Sequence, residues 1–127
     1  ILKAKATAYD LELNNVLFLP SSNNIDSLLK NTDVGVLISE SEGCPNSVLE
    51  YMKYSLPVIA SDIPAIQEVF SNQNPLLKNL NDINGLAQAI EQCFNEEFRD
   101  QLGIENYKLV NSRFAMRELS SNYLNLL

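Results

Sequence analysis

The chain has 127 residues, 46% of them hydrophobic, and a formal net charge of −7. This length and composition suit one ordinary globular domain with a modest core and exclude a disordered chain. The longest apolar runs have about six residues, far fewer than a membrane span needs. The acidic balance argues against nucleic acid or an anionic membrane surface as the partner of this segment.

The chain contains no histidine and two cysteines, Cys44 and Cys93. A Ser-His-Asp triad, a Cys-His dyad and a histidine-ligated zinc site therefore cannot be built from this chain alone. The two cysteines have no metal-binding spacing and fit a reducing compartment, so we expect a cytoplasmic protein. We interpret Cys44 as a small packing residue, because no neighbouring base activates it as a nucleophile.

Apolar runs alternate with helical patterns along the chain. The predicted elements are the end of a helix in residues 1–13, a strand at Val16–Leu19, a helix carrying Ile25, Leu28 and Leu29, a strand at Val34–Ile38, a helix beginning near Pro45, a strand at Leu56–Ala60, a helix opened by Pro64, a short strand at Pro75–Leu77 and helices from Asp82 onward. Strands without polar alternation, each followed by a helix, indicate a parallel sheet covered on both faces. The predicted fold class is α/β, a Rossmann-like parallel sheet with flanking helices and a helical C-terminal tail.

Two carboxylates frame the loop that follows the Val34–Ile38 strand. Glu42 stands in the loop, and Glu50 lies just over one turn into the next helix. Such a loop is a common place for an open α/β sheet to hold a nucleotide or a sugar. Carboxylates accept hydrogen bonds from sugar hydroxyls, although an arbitrary acidic pair more often only stabilises a helix N-terminus.

The start of the same helix predicts an anion site. Its first N–H groups, on Asn46, Ser47 and their neighbours, lack intrahelical acceptors and suit a phosphate together with the helix dipole. Gly43 lets the backbone approach a ligand closely. Between Lys30 and Lys53 there are four acids and no base. A diphosphate would therefore need Lys or Arg from elsewhere.

The segment from Val16 to about Phe70 resembles the C-terminal half of a family 4 glycosyltransferase with the GT-B fold. The resemblance rests on residues 39–50, which read Ser-x-x-Glu-Gly-x-Pro-Asn-x-x-x-Glu, followed by Leu-Pro-Val-Ile-Ala-Ser-Asp at 56–62. In that family this is the paired-glutamate signature, with seven residues between the two acids. The helical tail matches less specifically.

The resemblance implies an enzyme that transfers a sugar, with retention, from a nucleotide-diphosphate sugar to an acceptor glycan or lipid-linked glycan. No metal ion or other cofactor is expected. Glu42 would be the catalytic residue that contacts the hydroxyls of the donor sugar, and Glu50 would bind the ribose. The backbone around Gly43, Cys44, Asn46 and Ser47 would hold the distal phosphate.

Residues 1–127 would then form part of the donor-binding domain. The chain opens as if in the middle of a helix, and the family's N-terminal acceptor domain and diphosphate-binding basic residues are absent from it. We therefore expect this chain to be a piece of a longer protein and inactive alone. The parent would be cytoplasmic or peripheral at the inner face of the membrane.

Two departures from the family pattern carry structural expectations. Ser55 replaces the usual glycine after the helix, where a left-handed backbone is often needed. In the family's strand order, 3-2-1-4-5-6, Val16–Leu19 is the third strand and Val34–Ile38 the fourth, so the two are not neighbours. This predicts a gap or a rearranged pairing in the sheet of this chain.

Two alternative functions remain open at this point. One is a non-catalytic module of the same fold, and the other is a GT-B sugar-nucleotide epimerase. The spacing of the paired glutamates favours the transferase over the epimerase. The donor base, the sugar and the acceptor are not specified by the sequence.

Overall fold

The computed structural model describes residues 10–21 and 24–126, with side chains as far as Arg113. None of the helices in this part of the chain combines the length and apolar character needed to cross a membrane. The elements, in chain order, are α1 (Ile25–Lys30), β1 (Gly35–Leu37), α2 (Asn46–Lys53), β2 (Val58–Ser61), α3 (Pro64–Phe70), β3 (Leu77–Lys78), α4 (Ile83–Gln92) and α5 (Glu96–Leu126).

The three strands form one parallel sheet in the order β1-β2-β3. Val36 of β1 stands opposite Ile59 of β2, and Ser61 of β2 stands opposite Lys78 of β3. Because the strands are parallel, their carboxyl ends lie at one edge of the sheet, where ligands bind in open α/β folds.

Helices cover both faces of the sheet. All four residues of β2 are buried, and their side chains alternate between the faces. Val58 and Ala60 pack into a cluster with residues of α2, α3 and α5, namely Val48, Met52, Ile66, Val69, Phe70 and Val110. Ile59 packs on the other face with Leu76, Ala89 and Cys93. The predicted fold class, a parallel sheet with helices on both faces and a helical tail, is confirmed.

A close contact with β1 sets the position of α2. The ring of Tyr51 lies over Gly35, so that a β-carbon at Gly35 would stand 2.3 Å from Tyr51 Cδ2. Only glycine allows the helix to approach the strand this closely. The contact fixes α2 beside β1 and therefore fixes where the glutamate signature stands relative to the sheet.

The turn from α2 into β2 takes the left-handed conformation expected at Ser55, whose φ is 58°. The long helix α5 packs against this turn. Asn106 of α5 is buried and donates a hydrogen bond from Nδ2 to the carbonyl of Leu56 at 2.9 Å. The C-terminal end of α2 is therefore held from outside by a helix that begins more than forty residues later in the chain.

The predicted strand at Val16–Leu19 is wrong. This segment has no regular secondary structure, and Val16, Leu17 and Leu19 are about half or more exposed. A strand needs a hydrogen-bonding neighbour, and no described strand pairs with this segment or with the outer edge of β1. Val16–Leu19 therefore lies outside the three-stranded sheet and is not joined to β1, as expected. Most of the helix predicted over residues 1–13 lies outside the described residues.

Candidate functional site

The loop that carries Glu42 leaves the sheet at the carboxyl end of β1 and leads into α2. The hydroxyl of Ser61, the last residue of β2, accepts a hydrogen bond from the backbone N–H of Ser39 at 2.7 Å. Ser39 Oγ in turn donates to the carbonyl of Ser41 at 2.9 Å. The loop is therefore anchored to the central strand just before Glu42. Ser61 is not among the site residues predicted from the sequence. The signal that could have found it is a polar residue directly after a buried apolar strand.

The other end of the loop is closed by the start of α2. Pro45 is buried as the residue before the helix, and its carbonyl accepts the N–H of Leu49 at 3.2 Å. The N–H of Asn46 donates to the carbonyl of Cys44 at 2.9 Å. The sequence predicts that this N–H is free to bind a ligand, and that prediction is wrong. Ser47 is exposed, and its N–H has no acceptor among the described residues. Ser47 therefore offers an available amide in the first turn of α2.

The side chains of α2 divide between a buried and an exposed face. Val48 and Met52 point into the core, whereas Asn46, Ser47 and Glu50 are exposed at the three- and four-residue spacing of one helix face. The structure therefore brings three of the sequence-predicted site residues together on one surface.

The remaining predicted residues lie in the loop. Gly43 and Cys44 are exposed, and Glu42 is half-buried. Cys44 Sγ donates to Asn46 Oδ1 at 3.3 Å, which ties the loop to the first residue of α2. A β-carbon at Gly43 would meet no atom within 4 Å, and the backbone at Gly43 is not left-handed. The fold itself therefore gives no reason for glycine at this position.

The two signature carboxylates are unpaired. The carboxylate groups of Glu42 and Glu50 have no hydrogen bond or ion pair with another described residue. The charge of Glu50 acts on the nearby phenol of Tyr51. Burial raises the pKa of Tyr51 most, and the negative charge of Glu50 raises it further. The carboxylates are free to accept hydrogen bonds from a ligand.

A second contact holds α2 beside α1. The hydroxyl of Tyr54, which follows α2, donates to Asp26, which also pairs with Lys30 at 2.9 Å. The hydrogen bond from Tyr54, followed by that from Lys30, lowers the pKa of Asp26. The same bond, with burial and the charges of Asp26 and Glu50, raises the pKa of Tyr54. The helix that bears Glu50 is thus in contact with α1 as well as with β1.

Several described basic side chains are engaged by partners other than the two signature carboxylates. Lys30 pairs with Asp26, and Arg99 donates to the carbonyl of Cys93 at 2.9 Å. Arg113 donates to Ser71 Oγ at 2.6 Å and to the carbonyl of Glu68. No ion pair between described residues neutralises Glu42 or Glu50, so the loop keeps the acidic character that the sequence indicates.

A cavity of about 260 Å³ lies behind the loop, between α2, α3 and α5. Gly43 and Cys44 line one end of it, but neither Glu42 nor Glu50 does. Its α2 residues include Leu49 and Met52, which point away from the exposed face with Glu50. This cavity is therefore distinct from the surface that presents the two glutamates.

Residues 2–96 match the family described as glycosyl transferases group 1. The match includes β1, the loop with both glutamates and all three strands. The chain belongs to the group 1 glycosyltransferases. The resemblance of the glutamate signature to a glycosyltransferase is therefore confirmed at the level of the family.

Three curated glycosyltransferase relatives illustrate the similarity. The chain is 30% identical over 112 residues to N-acetyl-alpha-D-glucosaminyl L-malate synthase of Bacillus anthracis, covering 87% of the chain and 29% of that protein. It is 28% identical over 111 residues to the O-antigen biosynthesis glycosyltransferase WclY of Escherichia coli, covering 87% of the chain and 31% of that protein. It is 35% identical over 93 residues to UDP-Gal:alpha-D-GlcNAc-diphosphoundecaprenol alpha-1,3-galactosyltransferase of Escherichia coli, covering 70% of the chain and 24% of that protein.

The chain spans less than a third of the length of these relatives. No solved structure matches it. The comparisons therefore identify the family of this segment.

Proposed function

We propose that this chain is part of the donor-binding domain of a retaining, family 4 glycosyltransferase. The parent enzyme transfers a sugar from a nucleotide-diphosphate sugar to a glycan or lipid-linked glycan. The observation that carries the proposal is the arrangement of two unpaired carboxylates at the carboxyl edge of the sheet, Glu42 before the N-terminus of α2 and Glu50 on its exposed face.

The two carboxylates have different roles in this proposal. Glu50 accepts hydrogen bonds from the ribose hydroxyls, since an exposed carboxylate with no protein partner is a strong acceptor for a vicinal diol. Glu42 contacts the hydroxyls of the donor sugar and is the catalytic residue. Being half-buried, it is less exposed to competing water, so its charge acts more strongly on a nearby reacting centre.

The start of α2 binds the distal phosphate in this proposal. The free N–H of Ser47 and the positive end of the helix dipole favour an anion there. Cys44 and Asn46 shape this turn through their two mutual hydrogen bonds. Gly43 supports the proposal in another way, because the open space above it gives a ligand access to the backbone.

The diphosphate also needs cations. The side chains of Lys30, Arg99 and Arg113 already have protein partners, and the loop itself is acidic. We therefore assign diphosphate binding to basic residues of the parent enzyme outside residues 1–127, and acceptor binding to an N-terminal domain of that enzyme. The much greater length of the relatives supports this assignment. On this account the chain alone does not turn over.

Three further features belong to the same proposal. The transfer needs no metal ion, so chelation of divalent cations leaves turnover unchanged. The parent acts in the cytoplasm or at the inner face of the membrane. Relatives named for O-antigen synthesis and for a diphosphoundecaprenol substrate support a polysaccharide or lipid-linked glycan as acceptor.

A non-catalytic module and a GT-B epimerase are the competing functions. The relatives include named transferases and a named synthase, which supports the transferase over both. The epimerase would convert a nucleotide sugar without an acceptor, and the non-catalytic module would bind a nucleotide without consuming it.

The test uses the full-length enzyme with a panel of uridine and guanosine diphosphate sugars. Glu42→Ala is expected to lower kcat by about 10²-fold while changing donor affinity much less, because the lost contact acts near the reacting centre. Glu40→Ala is the matched control, since it removes an exposed acid from the same loop and is expected to retain wild-type kcat. Full turnover in Glu42→Ala would refute its catalytic role.

The anomeric configuration of the product, read by nuclear magnetic resonance, tests retention. An α-linked donor is expected to give an α-linked product. An inverted product would exclude the retaining mechanism, and conversion of the donor without an acceptor would favour the epimerase.

A further inference from the structure

The hydroxyl of Ser61 is a buried polar group at the end of the central strand. The residue has no exposed surface, and its Oγ accepts the Ser39 N–H at 2.7 Å, across 22 positions of the sequence. The three residues before it in β2, Val58, Ile59 and Ala60, are apolar and fully packed. A polar residue in this position is costly to bury unless it forms a hydrogen bond, and its partner belongs to the loop with Glu42.

The loop has few other connections to the sheet. Between Ser39 and Pro45, the hydrogen bonds of the described residues are Ser39 to Ser61, Ser39 to Ser41, and the local bonds at the start of α2. Glu42 therefore stands between two anchors, the Ser39–Ser61 bond on one side and the helix start on the other. Of these, only the bond to Ser61 connects the loop to β2.

The anchor at Ser39 is close enough in sequence to control Glu42. Ser39 Oγ closes a turn onto the carbonyl of Ser41, which directly precedes Glu42. A shift of the Ser39 backbone is passed through this turn to the carboxylate. A displacement of about 1 Å at a catalytic group is enough to lower a rate about 10²-fold.

We infer that Ser61 is a positioning residue, which holds the Glu42 loop in its active geometry through the backbone of Ser39. The inference rests on the proposed function and adds a residue of β2 to its site. Ser61 does not contact the donor. Its hydroxyl acts on the rate of transfer, and leaves the binding of the nucleotide, which depends on α2, intact.

The experiment measures kcat, KM for the donor and nucleotide affinity in the full-length enzyme. Ser61→Ala removes the acceptor of the Ser39 N–H and is expected to lower kcat on the order of tenfold, with KM and nucleotide affinity within about twofold of wild type. Ser61→Thr keeps a hydroxyl and suits a strand, so it is expected to restore most of kcat. Ser61→Cys fills the same space with a weak acceptor and is expected to behave like Ser61→Ala.

Asn106→Ala is the matched control for a purely structural effect. It also removes a buried side-chain hydrogen bond to the backbone, from Nδ2 to the Leu56 carbonyl, but at the opposite end of α2. It is expected to lower the unfolding temperature without lowering kcat at a temperature well below unfolding. Amide hydrogen exchange of Ser39, measured in the same enzymes, is expected to accelerate in Ser61→Ala and not in Asn106→Ala.

The outcomes separate this inference from the function on which it rests. Wild-type kcat in folded Ser61→Ala and Ser61→Cys, with an impaired Glu42→Ala, would overturn the role of Ser61 and leave the proposed function standing. An equal loss of kcat in Ser61→Thr would also overturn it if amide exchange of Ser39 stays at the wild-type rate in that variant, because the anchor would then be intact without restoring turnover. Full turnover in Glu42→Ala would instead overturn the proposed function.

Discussion

Gly103 lies directly against the backbone of Ser55: a β-carbon at Gly103 would stand 1.9 Å from the Ser55 carbonyl oxygen. One turn later on the same helix, Asn106 donates to the carbonyl of Leu56. Two positions on α5 therefore hold the turn that ends α2. Gly103 and Asn106 both lie outside the glutamate signature.

The first prediction concerns this contact. Gly103→Ala is expected to lower the free energy of unfolding by about 1–3 kcal/mol, because the added carbon meets a backbone atom that cannot move without breaking the turn. Urea unfolding of the chain, followed by circular dichroism, measures the change. Gly43→Ala is the control, since a β-carbon there meets no atom within 4 Å. Equal stability of Gly103→Ala and wild type would contradict the close packing of α5.

The second prediction concerns the left-handed turn at Ser55. A non-glycine residue in this conformation is strained by about 1–2 kcal/mol, and glycine relieves the strain at some cost in unfolded-state entropy. Ser55→Gly is therefore expected to raise the free energy of unfolding by a few tenths to about 1 kcal/mol.

The control for this prediction is Ser112→Gly, an exposed position within α5. Here glycine is expected to lower the stability by about 0.5 kcal/mol, since the backbone is helical. Thermal unfolding of both variants shows whether each substitution raises or lowers the stability. The same sign for the two substitutions would contradict a left-handed Ser55.

Most of the fold could be predicted from the sequence because its strands are short, apolar and each followed by a helical pattern. The strand at Val16–Leu19 could not, since the same apolar pattern predicts a strand only if a neighbouring strand exists to bond with it. Apolar periodicity reports burial within a segment, whereas pairing depends on residues far along the chain. The sequence predicts that α5 is helical. It does not predict that α5 packs on Ser55, because no pattern within either segment indicates a contact between residues so far apart in the chain.

In the site, too, the features with a local sequence pattern could be predicted, and those that depend on distant residues could not. The signature predicted the residues of the loop and of α2 from their local spacing, and the structure places Asn46, Ser47 and Glu50 on one exposed face. The N–H of Asn46 was expected to be free, but it bonds to Cys44, because helix starts often tighten by a local turn. Ser61 was missed because its partner, Ser39, is distant in sequence.

The third prediction separates folding from binding at Gly43. Gly43→Ala is expected to leave the free energy of unfolding within about 0.5 kcal/mol of wild type, since neither the packing nor the backbone requires glycine. The same substitution in the full-length enzyme is expected to weaken donor binding, because the methyl group occupies the space where the ligand approaches the backbone. Calorimetry with the donor measures the second effect. Unchanged donor affinity would remove Gly43 from the site.

The fourth prediction concerns the two thiols. Cys44 is exposed, whereas Cys93 is 5% exposed, and burial raises the pKa of its thiol. Iodoacetamide is expected to label Cys44 in the folded protein and Cys93 only after unfolding, because the thiolate is the reactive form. Peptide mass spectrometry reads both sites in one sample. In the full-length enzyme a bound nucleotide diphosphate is expected to slow the labelling of Cys44, whereas equal native labelling of both thiols would contradict the burial of Cys93.

The central claim is that the exposed face of α2 binds the nucleotide through Glu50. Calorimetric titration of uridine and guanosine diphosphates into the full-length enzyme tests it, with Glu50→Ala and the matched control Glu40→Ala. The account predicts that Glu50→Ala weakens the preferred nucleotide by about 10- to 100-fold, the loss of charged hydrogen bonds to the ribose. The 2′-deoxy analogue is expected to bind the wild-type enzyme more weakly than the ribonucleotide does. Glu50→Ala is expected to reduce the affinity for this analogue by a smaller factor than it reduces the affinity for the ribonucleotide. Unchanged affinity in Glu50→Ala, beside a competent wild-type enzyme, would contradict the account.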